Sequence, residues 1–118
     1  MAGLTTHVLD TTLGRPAQDM EIELFELHTN GKRTRLAQVR TNANGRTDEP
    51  LINAEQTRVG RFEIVFHVGP YFVKAGVPTA DPAFLDDVPI RFAIADVKSH
   101  YHVPLVVTPW GYSTYRGS

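Results

Sequence analysis

The sequence predicts an all-β protein, a β-sandwich of about seven or eight short strands with one short helix. One reason is that apolar side chains alternate with their neighbours in several short segments, which is the period of a strand with one face on a core. Another is that nine glycines and eight prolines are spread along the 118 residues as turn signals. This length, with 42% apolar residues, predicts a single domain over residues 1–118.

The N-terminal half predicts three strands separated by turns. Residues 4–9 are apolar and β-branched and form the first strand, and residues 12–16 form a turn. In residues 21–28 the apolar parity switches between Leu24 and Phe25, which predicts a β-bulge that re-aims this strand. Asn30 and Gly31 predict a hairpin into residues 33–41, and residues 42–45 predict another turn.

The C-terminal half predicts three further strands at residues 61–68, 88–95 and 101–107, all with alternating apolar positions. Residues 71–76 are the one segment that resembles a helical turn, ended by Gly76 and Pro78. Pro104 lies within the last of these strands. Because proline lacks an N–H for the sheet, it predicts an edge strand or a bulge there.

Composition and charge exclude several classes of function. Twelve basic and thirteen acidic residues give a net charge of −1, which argues against nucleic acid as a partner. The absence of cysteine excludes a disulfide scaffold, a thiol nucleophile and cysteine-bound metals. Neither a secretory signal nor a membrane-spanning segment is visible, so the expected location is the cytoplasm, without membrane association.

Three histidines are candidates for chemistry. His100 and His102 are two residues apart on a predicted strand and leave the same face, and His7 has the opposite parity from Leu4, Thr6 and Val8 of the first strand. Neutral imidazole suits acid–base catalysis or metal binding. The alternative is a solvated or hydrogen-bonded pair, and a metal would need a further ligand that the spacing does not supply. His28 and His67 are expected to be surface residues.

Arginine and the chain end supply further candidates. Arg46 follows Gly45 in a turn that could present its guanidinium to a cavity, although a solvated loop arginine is the alternative. The segment 112–118 is β-prone and rich in hydroxyl groups, so it is either an edge strand of an assembly or part of a site. Asp10 is expected to be a turn former.

Several of these segments together resemble one family, the transthyretin-related 5-hydroxyisourate hydrolases. The likeness spans the chain at compatible spacing and rests on LTTHVLD at 4–10, GRPA at 14–17, TNANGRTD at 41–48, HYHVPL at 100–105 and YSTYRGS at 112–118. The resemblance implies a transthyretin-like (prealbumin-like) sandwich. Transthyretin proper, a hormone carrier with the same fold, lacks the closing Tyr-Arg-Gly-Ser and the histidine–arginine set.

The resemblance also implies an activity and a site. The activity is hydrolysis of 5-hydroxyisourate to 2-oxo-4-hydroxy-4-carboxy-5-ureidoimidazoline in urate (purine) catabolism, a cyclic amide hydrolysis. His7, Arg46 and His102 would be catalytic, and the substrate would be bound by His7, Arg46, Tyr115, Arg116, Gly117 and Ser118. The family pattern implies a homotetramer, a dimer of dimers with sites in a central channel, and neither a metal nor an organic cofactor. Which histidine is the general base stays open.

Two other classes of protein are alternatives to the enzyme. A transthyretin-like carrier would use the same channel for a small ligand without catalysis, and would be expected to line it with apolar residues instead of His7, Arg46, His102 and Arg116. A structural or adhesive sandwich would bind no ligand. The histidine–arginine set therefore favours the enzyme.

Overall fold

The computed structural model describes residues 2–117 and contains eight strands, one α-helix and one 3₁₀ turn. The strands are β1 Gly3–Asp10, β2 Arg15–Pro16, β3 Glu21–Leu27, β4 Arg33–Arg40, β5 Gly60–His67, β6 Asp87–Ile94, β7 His100–Val107 and β8 Tyr112–Thr114. The helix α1 is Val68–Lys74, and the 3₁₀ turn is Ala54–Gln56.

The strands form two four-stranded sheets. The first sheet has the order β2-β1-β7-β8, and the second has the order β4-β3-β5-β6. All neighbours are antiparallel except β1 and β7, which are parallel and paired from Gly3 opposite His100 to Asp10 opposite Val107. This pair joins segments that are far apart along the chain, and it brings the strand that carries His7 beside the strand that carries His100 and His102.

The core lies between the sheets and follows the predicted period-two pattern. Phe62, Ile64 and Phe66 of β5 are fully buried, as is Val68 at the start of α1. On the first sheet the core positions are Leu4, Thr6, Val8 and Asp10 of β1 and Tyr101, Val103, Leu105 and Val107 of β7. The residues between them on β1 and β7 therefore occupy the outer face of the first sheet.

A bulge is present in the β3–β4 pair, but it lies on β4 and does not re-aim β3 as the sequence predicts. The register shifts between Leu24 and Phe25, because Leu24 faces Ala37 whereas Phe25 faces Arg35. The additional residue is therefore Leu36 of β4, and β3 itself pairs with β5 without interruption. Leu24 and Phe25 are both buried, Leu24 in the core and Phe25 beneath Arg33. The Arg33 guanidinium carbon is 3.8 Å from the centroid of the Phe25 ring.

Pro104 does not lie on an edge strand, because β7 has β1 on one side and β8 on the other. It lies at an interruption of the β7–β8 ladder. The ladder covers Leu105 to Val107, and the next contact of the two segments is a bridge between His102 and Gly117. The missing N–H of proline thus falls where pairing is already broken.

The helix begins earlier than predicted, at Val68, and ends at Lys74 instead of Gly76. A buried hydrogen bond joins it to β1: the Tyr71 hydroxyl donates to Asp10 Oδ2 at 2.8 Å. Asp10 also accepts from the backbone N–H groups of Thr12 and Leu13, so it forms the expected turn and anchors the helix as well. Within residues 2–117, no helix is long and apolar enough to span a bilayer.

Candidate active site

The two strands of the parallel pair carry the predicted histidines on one face. Thr5 lies opposite His102, and His7 lies opposite Pro104, so His7 and His102 are diagonal neighbours across the β1–β7 ladder. Strand spacing and rise place such positions roughly 8 Å apart. His7, His100 and His102 are all half-buried. The shared face predicted for the histidines is therefore present, and it is the outer face of the first sheet.

A threonine hydroxyl connects two of these imidazoles. Thr5 Oγ1 is 3.0 Å from His100 Nε2 and 2.9 Å from His102 Nδ1. Because Nδ1 of His102 is engaged by Thr5, Nε2 is the ring nitrogen left to meet a substrate. Sequence reasoning missed Thr5, although its position two residues before His7 places it on the same strand face.

Arg46 is held by a compact turn after β4. Asn42 Oδ1 accepts from the backbone N–H groups of Asn44 and Arg46, and the Asn42 N–H donates to the Arg46 carbonyl at 2.7 Å. Gly45 has φ +73° and accepts at its carbonyl from the Val8 N–H, which fixes the turn against β1. A Cβ at Gly45 would lie 2.4 Å from the Val8 carbonyl oxygen, so only glycine fits. The predicted turn therefore presents Arg46 beside β1.

The charge of Arg46 acts on both catalytic candidates. Burial and then the Arg46 guanidinium lower the pKa of His7 below its ordinary 6.5, although a backbone hydrogen bond with Asn44 opposes them. Burial, followed by the charges of Arg46, His7 and His100, lowers the pKa of His102. Both imidazoles are therefore neutral at pH 7, which is the state that a general base requires.

The chain end closes over His102. The Gly117 N–H donates to the His102 carbonyl at 2.7 Å. A Cβ at Gly117 would lie 2.6 Å from His102 Cδ2, so the tail lies directly against the imidazole. The terminal segment thus lies beside His102, and glycine is the residue that permits this approach. Ser118, a predicted substrate contact, lies outside the described residues.

Arg116 and Tyr115 are placed differently from Gly117. The Arg116 guanidinium stacks on the Tyr101 ring at 4.0 Å from its centroid and donates to the His100 carbonyl at 3.3 Å. These contacts tie the tail to β7. Tyr115 is 61% exposed. His7, Arg46, His102 and Gly117 are therefore brought together, whereas Arg116 contacts the strand beside them and Tyr115 faces outward.

A second cluster of titratable groups lies on the outer face of the second sheet. His67 Nε2 is 2.8 Å from Glu23 Oε1, and His67 Nδ1 is 2.7 Å from Asp87 Oδ1. Glu21 completes a group of three side chains, with Glu23 and His67, whose spacing would suit a metal ion. Both nitrogens of His67 are already engaged by carboxylates, and Arg35 and Arg40 pair with Glu23 and Glu21. The cluster is therefore an ion-pair network. The expectation that His67 is a plain surface residue is wrong.

Fold and site together define a class, a transthyretin-like β-sandwich with a histidine–arginine centre on the outer face of one sheet. The sequence profile of the HIUase/Transthyretin family matches residues 4–117, and the chain belongs to this family. The family and the fold expected from the sequence are thus confirmed.

Relatives with full-length similarity bear enzyme names. The chain is 55% identical over 115 residues to 5-hydroxyisourate hydrolase 2 of Rhizobium meliloti, covering 98% of this chain and 95% of that protein. Among solved structures, the 5-hydroxyisourate hydrolase of Klebsiella pneumoniae superposes with a TM-score of 0.81 at 33% identity, with both chains fully covered. An (S)-allantoin synthase superposes with a TM-score of 0.91 at 42% identity; the match covers 98% of this chain but only 43% of that longer one.

Proposed function

We propose that this protein hydrolyses 5-hydroxyisourate to 2-oxo-4-hydroxy-4-carboxy-5-ureidoimidazoline. The observation that carries the proposal is the convergence of His7, His102 and the Arg46 guanidinium on one open sheet face, with both imidazoles held neutral by burial and by the arginine. The names of relatives that match the whole chain support the same substrate.

Neutral imidazoles suit the first step of this reaction. The substrate is a flat, polar, oxidised purine, and opening its six-membered ring requires water to attack an acyl carbon and lose a proton. An imidazole that is unprotonated at pH 7 accepts that proton, an effect of about 10² to 10⁴ in rate. We assign this role to one of His7 and His102. The other orients the water or protonates the leaving nitrogen.

Arg46 supplies the electrostatic part of the mechanism. Negative charge develops on the carbonyl oxygen as water adds, and a fixed guanidinium beside that oxygen stabilises it by about 3 kcal/mol, by analogy with oxyanion-hole donors. The Asn42 hydrogen bonds and the Gly45 contact with β1 hold the turn before the substrate arrives. A turn that is already formed limits the rearrangement needed to bring the guanidinium to the oxyanion.

The tail completes the binding surface. Gly117 lies against His102, so the adjoining Tyr115, Arg116 and Ser118 are proposed as substrate contacts together with His7 and Arg46. For the aromatic ring of Tyr115 the proposed contact is packing on the planar substrate. Residues 1–118 act as one domain in this proposal, and neither a metal nor an organic cofactor takes part.

A homotetramer, arranged as a dimer of dimers, is proposed as the working assembly. Half-buried Leu9 and Val106 adjoin the histidines on the outer face of the first sheet, a face that would suit contact with a second copy. Sedimentation velocity tests this proposal, and a monomer at assay concentration would contradict it.

The cytoplasmic location expected from the sequence stays a prediction, which cell fractionation can test.

Turnover by two site variants tests the function. Arg46→Ala and His102→Asn should each lower turnover by about 10² or more, because each removes one transition-state interaction. The decay of 5-hydroxyisourate is followed by its ultraviolet absorbance, with spontaneous decay as the blank. Arg40→Ala, which removes an exposed arginine of β4 on the other sheet, is the matched control and should turn over like the parent.

Each outcome of this assay decides between functions. Folded Arg46→Ala and His102→Asn proteins with parental turnover would show that these side chains are not at the chemistry. If the parent protein does not accelerate the spontaneous decay of the absorbance, the proposed hydrolase activity is contradicted. A small-ligand carrier with the same fold would then be favoured.

A further inference from the structure

The Thr5 hydroxyl lies between two imidazoles that project from the neighbouring strand. Its oxygen is within hydrogen-bond distance of His100 Nε2 and of His102 Nδ1, at 3.0 and 2.9 Å. A threonine hydroxyl has one proton to donate and two lone pairs to accept with. It can therefore donate to one ring and accept from the other, so the three side chains form a continuous hydrogen-bonded chain.

This chain has two possible directions, and each prepares His102 for a different task. When His102 Nδ1–H donates to Thr5 Oγ1 and the hydroxyl donates to His100 Nε2, His102 Nε2 is free of a proton and can act as a base. When His100 Nε2–H donates to Thr5 and the hydroxyl donates to His102 Nδ1, His102 Nε2 carries a proton and can act as an acid. Reversal of these two hydrogen bonds thus converts His102 from a base into an acid.

We propose that Thr5 is a positioning residue that passes a proton between His102 and His100 through its hydroxyl, so that His102 serves as base and then as acid in one turnover. The proposal rests on the proposed hydrolysis of 5-hydroxyisourate. It assigns His102, instead of His7, to the proton transfers, and it gives Thr5 and His100 functions in the reaction.

The proton balance of the relay closes over one turnover. Water adds to the acyl carbon and gives a proton to His102 Nε2, which becomes an imidazolium. The Nδ1 proton of His102 then moves to Thr5 Oγ1 as the Thr5 proton moves to His100 Nε2. The charge now resides on His100, and His102 is neutral with a proton on Nε2. When that proton passes to the leaving nitrogen, the two relay protons return, the acyl carbon–nitrogen bond breaks and the resting state is restored.

The surroundings of His102 give the relay a physical purpose. The groups that face it are His7 from β1, the Arg46 guanidinium from the turn after β4 and His100 on its own strand, with Arg116 of the tail bound at the His100 carbonyl. A positive charge on His102 is repelled by the Arg46 guanidinium, which holds the pKa of His102 low. Passing the charge to His100 between the two proton transfers relieves that repulsion while Arg46 stays in place for the oxyanion.

The neighbouring Thr6 provides an internal comparison. Its side chain points into the core and its hydroxyl donates to the Val103 carbonyl at 2.7 Å, a contact that ties β1 to β7 and involves no titratable group. Thr5→Val and Thr6→Val therefore make the same chemical change, the loss of a threonine hydroxyl, at adjacent positions of one strand. Only the first of them interrupts the chain of imidazoles.

The experiment compares Thr5→Val, Thr5→Ser and Thr6→Val with the parent in steady-state hydrolysis of 5-hydroxyisourate from pH 5.5 to 9. We expect Thr5→Val to lower kcat by about 10- to 100-fold, because the relay supplies only part of the rate enhancement due to acid–base catalysis. KM should be nearly unchanged, and the pH profile of kcat should differ from that of the parent. Thr5→Ser keeps the hydroxyl and should restore most of kcat. Thr6→Val should keep the parental pH profile even where its stability falls.

A second measurement does not depend on activity. The ¹⁵N chemical shifts of the imidazole nitrogens report tautomer and protonation in the substrate-free protein. Thr5→Val should change the His102 tautomer, whereas Thr6→Val should leave it unchanged. Unaltered imidazole shifts and unaltered kcat in Thr5→Val, with an active parent, would overturn the relay alone. An inactive parent would overturn the proposed function itself.

His100→Asn keeps the test decisive if Thr5→Val does not fold. This variant leaves Thr5 in place and removes the ring that receives the relayed proton. The same loss of kcat with little change in KM is expected. Parental kcat and pH profile in His100→Asn would overturn the proposal.

Discussion

At the scale of single residues, His102 takes its properties from four separate segments. Thr5 of β1 holds Nδ1, the Arg46 turn supplies a positive charge, His100 shares the hydrogen-bonded chain, and Gly117 of the tail lies against the ring. The imidazole is consequently fixed in orientation and neutral at pH 7. Displacement of the ring by a few tenths of an ångström would disturb all these contacts together.

Gly117→Ala tests the contact of the tail with this ring. The new methyl group would lie 2.6 Å from His102 Cδ2, so either the ring or the tail must move. We expect kcat for 5-hydroxyisourate to fall by about tenfold or more, because misplacement of a catalytic group by about 1 Å can cost 10²-fold.

Gly111→Ala is the matched control for this variant. A Cβ at Gly111 meets nothing within 4 Å, so its kcat should equal that of the parent. Thermal unfolding of both variants shows that the fold is kept. Equal kcat in the Gly117 and Gly111 variants would mean that the tail does not position His102.

At the scale of elements, His67 joins three strands of the second sheet. It lies on β5 and contacts Glu23 of β3 and Asp87 of β6, at 2.8 and 2.7 Å. Burial lowers the pKa of His67, but the hydrogen bonds to both carboxylates and the charges of Asp87 and Glu21 outweigh it and raise the pKa above 6.5. The protonated ring therefore cross-links this sheet.

This cross-link predicts a pH-dependent stability. Because the folded-state pKa of His67 is raised, its contribution is fully present below the unfolded value of 6.5 and is lost as the pH rises through the folded value. We expect the parent to exceed His67→Gln in free energy of unfolding by about 0.5–1 kcal/mol at pH 6, a size suited to a partly exposed pair, and by much less at pH 9.

Urea unfolding of the parent and His67→Gln at both pH values measures this difference. The parent must be compared with the variant because His7 and His102, whose pKa values are lowered, change the free energy of unfolding with pH in the opposite direction. Their contribution is the same in both proteins and cancels in the difference. A difference that stays constant from pH 6 to pH 9 would rule out a protonated His67 as the source.

Sequence periodicity predicted what depends on local geometry. The parity switch in β3 indicated a bulge near Leu24 and Phe25 but assigned it to the wrong strand, because Phe25 is buried under the Arg33 guanidinium instead of in the core. The alternation in β1 and β7 placed His7, His100 and His102 on outward positions. It did not predict which strands are neighbours. Nothing local indicates that β1 pairs with β7, so the position of Thr5 between two rings could not be inferred. His67 was missed for the same reason, since its carboxylate partners come from other strands.

At the scale of the whole molecule, the site depends on both ends of the chain. Deletion of residues 115–118 removes Gly117 from His102 and Arg116 from Tyr101, but leaves the two sheets and the core between them. We expect the truncated protein to keep its far-ultraviolet circular dichroism and to unfold cooperatively. Its turnover of 5-hydroxyisourate should be lost.

Sedimentation velocity on the same truncated sample separates loss of the site from loss of assembly. Parental turnover after the deletion would contradict a catalytic role for the tail. A folded, inactive protein with the parental sedimentation coefficient would place the defect in the site itself.

The parallel pairing of β1 with β7 also has a consequence for protein synthesis. Thr5 and His102, which meet in this pair, are 97 positions apart. At ordinary translation rates the ribosome adds the intervening residues in roughly 5–20 s. Once the first strand emerges from the ribosome it lacks its partner until β7 follows, and it presents an unpaired backbone edge to other nascent chains nearby.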